Sequence, residues 1–205
     1  MKKTLLFICL ILFLGVTGFT QTSQPVIIQK TSDHIKLPQR ISTSQQGSVM
    51  KQYLQLKADD ELKSIRKEND EIGFTHERFQ QYFKGVKVEG AEYSVHSKDG
   101  LFDLMTGDYR TVADLDVNPS ISVSAAFDAA IGHVGARLYA WDDAVKTDYP
   151  DYKKPQGELV IVTDPEGNAP PRLAYKFDIY AADPLYRANV FVDAHTGAFI
   201  QEHSL

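Results

Sequence analysis

The chain has 205 residues, of which 43% are hydrophobic, 24% charged and 11% aromatic. This globular composition excludes a disordered, collagenous or membrane-embedded protein. The 22 Lys and Arg against 27 Asp and Glu leave a net charge of −5, which argues against a nucleic-acid surface because phosphate binding needs clustered excess cation. A single cysteine, Cys9, leaves no disulfide framework and no Cys-based zinc site to build.

Lys2 and Lys3 precede an apolar run from Leu5 to Val16, and small and polar residues follow through Ser23. That is the three-part pattern of a secretory signal peptide. The run is shorter than the ~20 residues of a spanning helix. Residues 1–20 are therefore expected to be removed, with cleavage near Gly18, Thr20 or Gln21. The mature chain is then secreted and has no membrane association. Residues 21–45, rich in Gln, Ser and Thr with Pro25 and Pro38, read as an extended leader with little core of its own.

A first unit is expected over 46–115. Gly47 to about Leu56 starts a helix, with Met50, Tyr53 and Leu54 on one side. Leu54, Ala58, Leu62 and Ile65 recur at helical spacing, which argues for one longer helix, whereas Ala58 to Glu61 is equally a break. The charged stretch from Lys57 to Glu71 reads as a solvated face. Strands follow at Thr75–Phe83, Val86–His96 and Leu101–Met105, joined by the turn signals Lys84-Gly85 and Lys98-Asp99-Gly100. Tyr109–Val112 can add a fourth. Alternation along Thr75–Phe83 places Phe79 and Phe83 on one face, against the core, and Arg78, Gln80 and Tyr82 on the other. There Arg78 is read chiefly as a cross-strand partner of Glu92, with a face toward a binding partner as the alternative.

Asn118-Pro119 marks a boundary, and a second unit is expected over 120–205. Ser122 or Ser124 caps a helix running to about Ala136, with Val123, Phe127, Ala130, Ile131 and Val134 as its apolar stripe. Leu138–Gly157 reads as a long aromatic and acidic loop. Strands are expected at Leu159–Thr163, Arg172–Tyr180, Arg187–Asp193 and Ala198–Glu202. The turn Asp193-Ala194-His195-Thr196-Gly197 is explained by Asp193 accepting backbone N–H bonds and Gly197 taking the left-handed position, with His195 needing no partner. Strand runs beside a helix indicate the α+β class.

No catalytic or metal constellation emerges. His76-Glu77-Arg78-Phe79-Gln80 approaches the zinc-protease motif H-E-x-x-H but ends in Gln80. In a strand that spacing spans about 13 Å, so the two ends could not share a metal. His34, His96, His133, His195 and His203 stand singly. No nucleophile elbow, P-loop or dinucleotide fingerprint is present.

From His76 to His96, Arg78, Gln81, Gly85, Val86, Val88, Gly90, Glu92 and His96 fall on a pattern that resembles the fungalysin/thermolysin propeptide domain, with Lys87 where that family usually has proline. Ile121-Ser122 leading into Ala125-Ala126, Leu173 to Phe177 with Tyr175, and Val192 to Gly197 with Asp193 are similar to a PepSY domain, which normally follows. The two resemblances cover about Gln45 to Leu205. They imply two consecutive cystatin-like units, each a helix packed on a curved antiparallel sheet, with extended chain rather than a long helix before Ile65. The motif positions are structural on this reading.

The resemblance further implies the secreted pro-region of a thermolysin-like zinc metalloprotease. Such a pro-region acts as intramolecular chaperone and inhibitor of a catalytic domain that is not in this chain, in cis or in trans. Zinc and calcium are expected only in that catalytic domain, and no cofactor in this chain. The competing reading is a free-standing secreted inhibitor or binding module acting in trans. An independent enzyme ranks below both, because no polar motif converges.

Overall fold

The structure, a computed structural model, describes residues 29–30 and 34–205. The expected signal segment, with Gly18, Thr20 and Gln21, lies outside the described residues.

In chain order the N-terminal half holds β1 (Gln29–Lys30), β2 (His34–Ser42), α1 (Gln46–Tyr53), β3 (Asp60–Asn69), β4 (Phe74–Phe83), β5 (Val86–Lys98) and β6 (Leu101–Gly107). The second half holds α2 (Val123–Val134), β7 (Leu138–Tyr139), β8 (Glu158–Val162), β9 (Arg172–Asp183), β10 (Leu185–Asp193) and β11 (Phe199–Ser204). The class is α+β, with few helices on a predominantly antiparallel sheet.

Among the described residues, eleven strands form one sheet, not two. Its main path runs β1-β2-β6-β5-β8-β9-β10-β11, while β3 and β4 lie on the other side of β5 and β7 pairs with β9. The join is on β5. Its C-terminal part pairs antiparallel with β6, whereas Lys87 and Val88 pair in parallel with Val160 and Ile161 of β8.

Two cores sit on this sheet. In the first, Val49, Met50 and Tyr53 of α1 pack with Ile35, Leu37, Phe79, Tyr93, Val95 and Phe102. In the second, Ala126, Phe127 and Ala130 of α2 pack with Leu173, Phe177, Ile179 and Val190. The small alanines let the helix approach closely, and the Phe127 ring meets Phe177 edge-on at 5.4 Å. Ser122 caps α2 by accepting from Ala125 N at 3.1 Å, and Gly135 ends it in the left-handed conformation.

Phe79 and Phe83 do not share a core. Phe79 is buried in the first and Phe83 in the second. A register shift between Gln80 and Tyr82 breaks the alternation. Opposite it, Gly90 takes φ +72°, open to glycine at no steric cost. Gln80 fills the bulge: its buried Nε2 donates to the carbonyls of Gln81 at 3.0 Å, Val88 at 2.8 Å and Ala91 at 3.0 Å.

Other segments also depart from the sequence reading. The presumed leader contributes β2, whose Ile35 and Leu37 are almost fully buried and which pairs with β6. The helical spacing through Ile65 does not hold. The helix ends at Tyr53, and the stretch becomes β3, paired along its length with β4. Ile65 is half exposed, so the period reflected no buried stripe, and β3's charged residues blunt an edge strand. Tyr109–Val112 is irregular, and the long loop contains β7.

Candidate functional site

Strand alternation sends Phe79, Tyr93 and Val95 into the first core and leaves Phe74, His76 and Arg78 of β4 facing Lys98, His96 and Ser94 of β5 on the opposite surface. Thr106 of β6 pairs with Ser94 on the same surface. Charged and hydrogen-bonding side chains dominate this open face.

Its centre is a row of four groups. His76 Nε2 lies 3.1 Å from Asp70 Oδ2, His76 Nδ1 lies 2.7 Å from His96 Nδ1, and His96 Nε2 lies 2.6 Å from Thr106 Oγ1. The His96 pKa is lowered, first by burial and then by the neighbouring His76 charge. Asp70 is held below the usual carboxylate range chiefly by the Phe74 N–H, against a partial desolvation, with His76 and the Ile72 N–H adding to it. The row can store or relay a proton. It joins histidines that stand singly in the sequence, because residues 76 and 96 become neighbours only through the β4–β5 register. Beside the row, Arg78 Nη1 lies 3.4 Å from Glu92 Oε2, with side chains 50% and 40% exposed.

The remaining motif positions have architectural surroundings. Gln81 is buried, donating through Nε2 to Arg110 O at 2.7 Å and accepting through Oε1 from Arg110 N at 2.9 Å. Gly85 completes the β4–β5 turn, Gly90 the bulge, and Val88 is wholly buried in the second core. Tyr175 is buried, its hydroxyl 3.4 Å from Ile121 O. Asp193 accepts from the N–H groups of His195 and Thr196, each at 2.9 Å. Burial works to raise its pKa, but these bonds outweigh it and hold the carboxyl low. Gly197 has φ +76°. His195, read as partnerless, is not so. Its Nδ1 lies 2.9 Å from Ser120 Oγ and its Nε2 3.2 Å from Asp116 O, tying the turn to the segment between the halves.

A second group, assembled only by the pairing of distant strands, locks the β5–β8 join. Lys87 lies 3.5 Å from Glu89 and 3.4 Å from Glu158, and Glu89 lies 2.6 Å from Lys176 of β9. Burial opposes the Lys87 charge, yet the carboxylates of Glu89 and Glu158 prevail and raise its pKa. Among the described residues, no group of three or more His, Cys, Asp or Glu is placed to hold a metal ion.

Residues 60–109, which run from the first residue of β3 through Tyr109, match the family model of the Fungalysin/Thermolysin Propeptide Motif. This segment is a fungalysin/thermolysin propeptide motif. Over 147 residues the chain is 26% identical to "Thermostable neutral protease NprT" of Geobacillus stearothermophilus, covering 71% of this chain and 26% of that protein. Over 131 residues it is 30% identical to "Thermolysin" of Alicyclobacillus acidocaldarius subsp. acidocaldarius, covering 62% and 22%. The chain thus spans about a quarter of the length of these curated relatives. A solved structure, "Bacillus megaterium YpeB C-terminal domain", covers 84% of this chain and 71% of that chain at 16% identity and a TM-score of 0.39. Within the propeptide motif lie both histidines of the row, Asp70, Thr106 and the Arg78–Glu92 pair. Among the described residues no helix is long and apolar enough to cross a membrane.

Proposed function

We propose that the chain is the secreted pro-region of a thermolysin-like zinc metalloprotease and acts on that protease's catalytic domain as folding chaperone and inhibitor. The observation that carries this reading is the propeptide motif over 60–109. The architecture suits the role. A folding chaperone needs a large preformed surface complementary to its partner rather than a reactive group. A sheet continued through β5 and clamped by Lys87, Glu89, Glu158 and Lys176 supplies rigidity to such a surface.

On this reading export proceeds through residues 1–20. The two helix-on-sheet halves are cystatin-like, the second of PepSY type. Zinc and calcium belong to the catalytic domain. The test is refolding of the catalytic domain encoded with this chain, located by reading the gene beyond Leu205 for H-E-x-x-H. Denatured catalytic domain should recover far more proteolytic activity with the purified mature chain than without it, and the folded domain should be inhibited by it. Equal recovery together with no inhibition would overturn the proposal.

A further inference from the structure

We propose that His76 and His96 form a proton-counting switch in the N-terminal half, their contact surviving one added proton and opening on the second. The inference concerns the chain alone and holds whatever its partner.

The argument is a hydrogen count. An Nδ1-to-Nδ1 approach of 2.7 Å requires one imidazole to donate and the other to accept. With both rings neutral the row closes in one sense: Thr106 Oγ1–H donates to His96 Nε2, His96 Nδ1–H to His76 Nδ1, and His76 Nε2–H to the Asp70 carboxylate. One added proton is also accommodated. His76 becomes imidazolium, donating to Asp70 through Nε2 and to His96 through Nδ1, while His96 turns to its other tautomer and donates from Nε2 to Thr106. A second proton leaves two Nδ1–H groups pointing at each other between two like charges, an arrangement with no acceptor.

Among the described residues the surroundings do not offer a second counterion. Across β3, Glu68 stands opposite His76 but is paired with Arg66. Along β4 and β5, Arg78 holds Glu92, while Lys98 donates to Ile72 O. On β6 the residue opposite His96 is Leu104, and Asp103 is paired with Lys36 of β2. His34 of β2 lies opposite Thr106, and the Arg40 guanidinium donates to Lys98 O and Leu101 O, so neither supplies a negative charge. Among the described residues Asp70 is the carboxylate that faces the pair. The lowered His96 affinity for protons agrees. A group whose folded pKa is depressed binds protons more readily when unfolded, so the stability it permits is complete above the ordinary histidine range and falls as pH drops through and below it.

The experiment is an NMR titration of the imidazoles from pH 8 to 4.5, with amide hydrogen exchange corrected for intrinsic rates. His76 and His96 should titrate in two separated, mutually dependent steps. Protection of the β4 and β5 amides around them should fall roughly tenfold per pH unit from the ordinary histidine range down to the second step and level off below it, while β9 and β10 do not follow. In His96→Gln that loss should vanish. If this variant does not fold, His76→Gln serves the same purpose. Independent single-step titrations with unchanged β4 and β5 protection would overturn the switch, as would the same pH dependence in a folded glutamine variant.

Discussion

Asp60 and Tyr109, the first and last residues of the propeptide motif, are joined by a 2.7 Å hydrogen bond from the Tyr109 hydroxyl to Oδ2. Burial first, and then the bond to and charge of Asp60, push the Tyr109 pKa upward, so the hydroxyl stays a donor. Gln81 completes the closure, with its Nε2 3.4 Å from Asp60 and its amide gripping both backbone groups of Arg110. Tyr109→Phe should cost about 1 kcal/mol. Gln81→Leu should cost more, about 2–3 kcal/mol, because it strips partners from the Arg110 backbone. Urea midpoints at neutral pH check the ranking, and a larger loss for Tyr109→Phe would contradict it.

Phe79 and Phe83 separate the two cores experimentally. Each truncation to alanine should cost about 3–5 kcal/mol. Hydrogen exchange should localise the damage differently. Phe79→Ala should deprotect α1 and β6, and Phe83→Ala should deprotect α2 and β9. Identical exchange maps would mean that the halves unfold as one unit.

Arg78→Ala should change stability by less than about 1 kcal/mol, since its pair with Glu92 is exposed at both ends. Inhibition of the catalytic domain should persist. An unaltered melting curve with inhibition abolished would instead assign the open face to protease binding.

Gly197→Val should lower stability by about 1–2 kcal/mol, because φ +76° strains a β-branched residue. Its added Cβ would meet Ile121 only at 3.6 Å, an ordinary contact, so the cost is conformational. His195→Ala loses bonds to Ser120 and Asp116 and should cost about 1 kcal/mol. Thermal melts compare the two, and a drop for His195→Ala exceeding that for Gly197→Val would reverse the assignment.

Local chemistry determined much of this protein from sequence alone. Ser122 before an apolar stripe specified α2, Lys84-Gly85 and Asp99-Gly100 specified the hairpins, and the spacing from Arg78 to His96 specified the propeptide motif. Each depends on residues close in the chain, where turn conformation and side-chain period act directly. The tertiary structure decided what depends on register between distant strands. Pairing with β4 made Asp60–Asn69 a strand despite its helical spacing, and pairing with β6 drew Ile35 and Leu37 of the presumed leader into a core. The bulge filled by Gln80 sent Phe83 away from Phe79. The same register brought His76 against His96, twenty positions on. A strand buries whichever face its neighbours cover, and those neighbours are chosen by the whole sheet rather than by the strand's own residues.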